Sequence, residues 1–188
     1  MWSPDHRAAL GCLLRAALAM GGAGLLAGCF QPLYGQPPLS GAPTLGNALA
    51  AVDVQQIDAP RGSSEARIAV ELRNALLFDL TGGEGGIAPT HRLNIKMTTS
   101  RSALIVDPQT GRTEAEVTGI DVKYILTELA TGRRVVNATT FARVSSDIPG
   151  QQQKFARSRA QRDAEDRAAK VIADQIRSRL ASYLVAGT

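Results

Sequence analysis

Between Arg92 and Val144 three segments carry stretches in which apolar and polar residues alternate with a period of two, and two turn signals separate them. In the first, Leu93, Ile95 and Met97 alternate with Arg92, Asn94 and Lys96. This is the pattern of a strand buried on one face only. The spacing predicts a strand over 92–99 with pairing extended to Val106. Asp107-Pro108-Gln109-Thr110-Gly111 is turn chemistry, so the chain must return antiparallel. The return strand covers Thr113–Leu129. Its apolar phase is odd at Ala115 and Val117 but even at Ile120, Val122, Tyr124 and Leu126. A period-two pattern changes face only where a residue is inserted, which places a β-bulge at or beside Gly119. Thr131-Gly132 then turns the chain into a last strand, Arg134–Val144, with Val136, Ala138, Thr140 and Ala142 facing inward.

Helical periodicity flanks these strands. Ala48–Ile57 is β-prone and reads as a first strand, broken by Asp58-Ala59-Pro60-Arg61-Gly62. Ser63 or Ser64 can cap a helix with Glu65 in its first turn. Ile68, Leu72, Ala75 and Leu76 fall on one side of it. Val70 and Leu77 fall nearly opposite, facing either a neighbouring helix or a partner. Thr81-Gly82-Gly83-Glu84-Gly85-Gly86 ends the helix; without GxxxxGK[ST] or GxGxxG these glycines make a flexible loop, not a phosphate cradle. After a polar loop over 145–153 a long helix runs Phe155–Leu184, with Asp163–Arg167 and Asp166–Lys170 as i,i+4 pairs. Val171, Ile172, Ile176, Leu180 and Tyr183 are bulky enough for a core, whereas before Ala168 the same row is alanine. The second half of this helix is expected to pack on the sheet, and the first half to overhang it or to approach something closely. The order β-α-β-β-β-α specifies an α+β two-layer sandwich: a four-stranded mixed sheet with two helices on one face. The helix between the first two strands allows them to be parallel neighbours.

The first 28 residues read as a secretory signal: Arg7 and Arg15 precede an uncharged run from Ala16 to Ala27. Twelve residues of helix rise about 18 Å, too little to span a bilayer core of roughly 30 Å. The exit Leu26-Ala27-Gly28-Cys29 resembles the bacterial lipobox, in which the Cys sulfur receives a diacylglyceryl group and cleavage leaves the Cys at the new amino terminus. Phe30 rather than Asp follows Cys29, which favours the outer membrane. The expected organisation is a signal peptide over 1–28, a lipidated Cys29 with an extended Pro/Gly-rich tether over 29–47, and a single α+β domain over 48–188.

Composition narrows the chemistry. Processing leaves 160 residues with one cysteine and one histidine, His91, so neither a Cys/His metal site nor a disulfide framework is expected. No G-x-S-x-G accompanies His91, and no catalysis is expected. The net charge of +4 is mixed too evenly for a nucleic-acid partner. It is also unevenly placed: residues 151–188 hold 8 Lys+Arg against 4 Asp+Glu, while 29–150 hold 11 against 12.

Gly28-Cys29-Phe30-Gln31-Pro32-Leu33-Tyr34-Gly35 is similar to the start of the LptE-type lipopolysaccharide-assembly lipoproteins. Glu71-Leu72-Arg73-Asn74-Ala75-Leu76 resembles their first-helix motif. The element order and the length after processing fit as well. The resemblance implies a non-enzymatic outer-membrane lipoprotein with no cofactor beyond the covalent lipid on Cys29, which anchors it to the inner leaflet of the outer membrane. It implies a plug inside the lipopolysaccharide-transport β-barrel that supports barrel assembly and binds lipopolysaccharide. Arg112 at the hairpin tip and Lys154, Arg157 and Arg159 at the start of the last helix would then meet lipid A phosphates. The alternative is a free-standing envelope lipoprotein that carries or senses an amphiphile.

Overall fold

The protein is described by a computed structural model over residues 44–83, 87–111, 113–148 and 154–187. The elements are α1 (Leu45–Ala50), β1 (Val52–Val54), α2 (Ser64–Thr81), β2 (His91–Val106), β3 (Thr113–Glu128), β4 (Arg134–Asp147) and α3 (Lys154–Ala186). The strands form one sheet in the order β1-β2-β3-β4. β1 runs parallel to β2, and the other two pairings are antiparallel. The expected mixed sheet is therefore present, with α2 and α3 packed on one of its faces.

The local chemistry explains the boundaries. Ser63 caps α2 by accepting from the Ala66 amide at 3.1 Å. Gly82 closes it in the left-handed region, φ 65°, donating to the Phe78 carbonyl at 2.8 Å. The Asp107 carboxylate organises the β2–β3 turn, accepting from the Gln109 amide at 2.8 Å and the Thr110 hydroxyl at 2.7 Å. Between sheet and helices, Leu72, Leu76, Leu93, Leu126, Ile172, Ile176 and Leu180 are wholly removed from solvent. Each side chain buried in this way contributes roughly 1.5–3 kcal/mol relative to exposure. Val136, Ala138, Thr140 and Ala142 face this core from β4 as the alternation requires. The stripe opposite the core on α2 divides: Leu77 packs at the core margin and Val70 is exposed.

Four expectations are corrected. Residues 48–50 belong to α1, not to the first strand, which is only three residues long. Ala48, Leu49 and Ala50 are good helix formers. Thr44 accepts from the Asn47 amide at 3.1 Å, and Leu49 is buried against the core.

Second, no bulge lies at Gly119. The register runs unbroken through Ser100↔Gly119 and Gly119↔Arg143 and shifts instead between Ala103 and Ile105, near the hairpin tip. Thr118, Ile120 and Val122 keep one phase, and Ala115 and Val117 simply point to the other face. The helix-facing positions turn polar there (Thr99, Arg101, Thr118) because they approach a buried carboxylate, Glu165, which Arg101 binds.

Third, Val171 is exposed. The core instead takes Ala164, Ala168, Ala169 and Ala173 with Ile172, Ile176, Leu180 and Ala181. Fourth, Asp166 pairs with Arg67 of α2 at 2.8 Å and not with Lys170, whereas Asp163–Arg167 forms at 2.8 Å as expected.

β1 pairs only with His91–Leu93. From Asn94 to Val106 the outer edge of β2 has no strand beside it among the described residues, and neither has the outer edge of β4.

Candidate functional site

Cys29 and the lipobox residues Leu26, Ala27 and Gly28 lie outside the described residues, as does Arg112. Lys154 opens α3, but its side chain is not described. Arg157 and Arg159 are exposed on the first turns of that helix, with no ion-pair partner among the described residues.

The topology brings the helix start and the hairpin tip to one end of the molecule. α3 runs back along β4: Arg167 donates to the Ser145 carbonyl at 3.4 Å, and Thr140 bonds Gln175. The thirteen residues from Arg167 back to Lys154 extend about 20 Å, while β4 continues only to Asp147. The start of α3 thus overhangs the end of β4, and residues 155–163 are exposed or half-buried. At this same end Leu104, Ile105 and Val106 are each about half exposed, and Phe155 is 88% exposed. The Ile148 amide donates to the Glu114 carbonyl at 2.7 Å, tying the end of β4 to the hairpin beside these residues. The tip turn is held in shape, since the Thr110 hydroxyl and then the Gln109 amide keep the Asp107 carboxyl below its usual range.

A buried ion cluster supports this end. Glu165 is 1% exposed and pairs with both Arg67 of α2 and Arg101 of β2, the latter at 2.7 Å. Gln161 donates to the same carboxylate at 2.9 Å, and Arg101 also reaches the Ser64 hydroxyl at 3.2 Å. Thr99 donates to Glu65 at 3.1 Å. The carboxyl of Glu65 is lowered by its own backbone amide first, then by the Ser63 and Thr99 hydroxyls. One carboxylate thus fixes the helix overhang to the shaft of the hairpin.

The sheet face away from the helices is open. Register places its side chains in rows across β2, β3 and β4: Asn94–Ile125–Asn137, Lys96–Lys123–Thr139, Thr98–Asp121–Phe141 and Ser100–Gly119–Arg143. Gly119 makes room there. A Cβ would lie 2.5 Å from the Ser100 hydroxyl and 3.0 Å from the Arg143 side chain. Arg143 crosses this gap, donating to the Ile120 carbonyl at 3.3 Å and binding both Asp121 oxygens at 2.8 and 2.9 Å. Its guanidinium also stands 5.4 Å from the Phe141 ring. At the β1 side Arg92 approaches Asp53 at 3.7 Å.

His91 is half-buried, edge-on to Tyr183 at 6.4 Å, with Nδ1 2.9 Å from the Thr90 hydroxyl. Among the described residues the Thr90 hydroxyl is its hydrogen-bond partner, and no carboxylate is paired with the ring as a catalytic triad would require. Among the described residues there is no acidic, Cys or His cluster suited to a metal ion. None of their helices is long and apolar enough to cross a membrane. What the surface offers is exposed cations beside exposed apolar side chains, which is binding chemistry for an amphiphilic anion. The basic bias of the last helix points to Arg157 and Arg159, and the fold leaves both exposed. The sequence does not mark the exposed Leu104–Val106 tip, which alternation alone reads as an ordinary strand end, or Glu165, whose burial depends on tertiary packing.

The profile of the LptE lipopolysaccharide-assembly family matches residues 49–180, well over half of the chain. No curated protein sequence matches it. Among solved structures, one described as a lipoprotein from Caulobacter crescentus CB15 superposes with a TM-score of 0.57 at 20% identity, covering 76% of this chain and 96% of that one. Rare lipoprotein B from Shewanella oneidensis gives 0.50 at 17% identity, covering 71% and 96%. A minor lipoprotein from Acinetobacter baumannii gives 0.50 at 14% identity, covering 70% and 90%. At these identities the likeness is one of fold.

Proposed function

The chain belongs to the LptE lipopolysaccharide-assembly family, and from that premise we propose that it is a non-enzymatic outer-membrane lipoprotein, anchored through lipid on Cys29, that plugs and supports the lipopolysaccharide-transport β-barrel and binds lipopolysaccharide during its insertion. The observation that carries this reading is the family match over the folded domain. The chemistry of the overhanging end supports it. Exposed Arg157 and Arg159 suit the phosphates of lipid A, and Leu104, Ile105, Val106 and Phe155 suit its acyl chains. The N-terminal Leu26-Ala27-Gly28-Cys29 supports the anchor. Three acyl chains would exceed the two signals that stable anchoring needs.

Gentle detergent extraction and pull-down of the tagged lipoprotein tests the barrel partnership. A large outer-membrane β-barrel is expected to co-purify, and its absence would overturn the plug reading. Metabolic labelling with palmitate tests the anchor: the wild type is expected to take up the label and Cys29→Ser is not, and a wild type without label would remove the anchor from the proposal.

A further inference from the structure

We propose that the open face of the sheet carries a second anion site, centred on Lys96 and Lys123, that takes a phosphate group borne on an amphiphilic lipid. In its choice of ligand the proposal rests on the lipopolysaccharide reading above. Its location is separate: these lysines lie along the shaft of the sheet, not at its overhanging end.

Lys96 and Lys123 are directly opposed in the β2–β3 register. Directly opposed residues hold their Cβ atoms about 5 Å apart, and like charges so placed repel. On the same face Arg143 pairs with Asp121 and Arg92 with Asp53. The two lysines make no ion pair among the described residues, and both are exposed. Isolated lysines often protect a sheet edge from association, and β1 leaves the outer side of β2 uncovered at Lys96; Lys123, however, lies on β3 between β2 and β4, so edge protection accounts for only one of the pair. Two ammonium groups side by side fit a single doubly charged tetrahedral anion, which turns their repulsion into a shared attraction.

The surroundings complete a site of that kind. Lys96, Thr98, Asp121, Lys123, Thr139 and Phe141 line a hollow of about 320 Å³. Thr139 stands in register with Lys123, and Thr98 with Asp121. Their hydroxyls are donors to an oxyanion. Asp121 would oppose an anion, but both its oxygens are held by Arg143. Phe141 is 63% exposed at the rim. It offers an apolar surface to the body of the ligand, which favours a phosphorylated lipid over free phosphate.

The test measures binding of the full chain to phosphatidylcholine vesicles carrying lipid A, or lipid A stripped of its phosphates, for wild type, K96Q/K123Q and R157Q/R159Q. K96Q/K123Q relieves a like-charge pair on an exposed face, so its thermal stability is expected to match or exceed wild type. Affinity for phosphorylated vesicles is expected to fall about tenfold per lysine removed, each replacing a charge-assisted hydrogen bond. Affinity for dephosphorylated vesicles is expected to be unchanged. Equal binding by K96Q/K123Q and wild type, or an equal loss on both vesicles, overturns the site. If only R157Q/R159Q loses binding, lipopolysaccharide recognition stands and this site falls. If wild type binds neither vesicle, both fall. Calorimetry with inorganic phosphate as tight as with vesicles would make this a small-anion site and overturn the lipid assignment. Retained lipid binding by K96Q/K123Q with loss of barrel co-purification would give the lysines to the barrel instead.

Discussion

At Glu165 a carboxylate almost wholly removed from water is shared by Arg67 and Arg101, each of which is more than a third exposed. The asymmetry decides which substitution hurts. Arg101→Met leaves the buried charge with one guanidinium and Gln161, and it is expected to cost about 2 kcal/mol, below the 3–5 kcal/mol of a pair broken in full burial. Glu165→Leu leaves two cations that can turn to water, and it is expected to cost less. Urea unfolding of the two variants checks the order. On α2, Asp79 runs the other way. Burial raises its carboxyl above the ordinary value, the nearby Asp174 charge adds to this, and Arg177 and Lys170 oppose it. A carboxyl raised in the folded state binds protons more readily there than when unfolded, so the fold loses stability as pH climbs through that range. Asp79→Asn is therefore expected to raise the urea midpoint at pH 7. The gain should vanish below about pH 4, where the unfolded carboxyl is protonated too. A variant no more stable at pH 7 than wild type would contradict this.

Among the elements, α3 meets α2 and the sheet through small side chains: Ala164, Ala168, Ala169, Ala173 and Ala181 are all buried. Alanine at these positions lets the helix approach closely. Ala173→Leu is expected to overpack the layer by about 1–3 kcal/mol, seen as a fall in melting temperature, while Val171→Ala on the exposed side should leave it nearly unchanged. The same helix shows what sequence makes legible. Its second half was readable because bulky residues recur on one side. The caps at Ser63 and Gly82 and the turn at Asp107–Gly111 were readable because their geometry depends on residues within three or four positions. The opening of the domain was not, since Ala48–Ala50 suits either state and the burial of Leu49 decides. Alternation misplaces a bulge at Gly119 because an inward position need not be apolar: Thr99, Arg101 and Thr118 face inward, and Arg101 binds a carboxylate from another element. Alternation marked Lys96 as outward, but its opposition to Lys123 rests on the hairpin register. That register is adjusted by shifts near the tip, which no local pattern marks.

At the scale of the whole molecule, the described domain has a packed helical side, an open sheet face and an overhanging end where cations meet apolar side chains. Salt is expected to weaken lipopolysaccharide binding at both the overhanging end and the open face, because all the cations concerned are exposed; a salt-independent affinity measured on vesicles would argue for apolar contacts alone. Among the described residues β1 shields only the first three residues of β2, and no strand lies along the long outer side of β4. Rows of backbone N–H and C=O groups with no strand beside them invite the backbone of another copy. For anyone handling the purified protein this becomes a question of shelf life: without a partner, a concentrated stock should scatter more light as it ages, and dilution should slow the change.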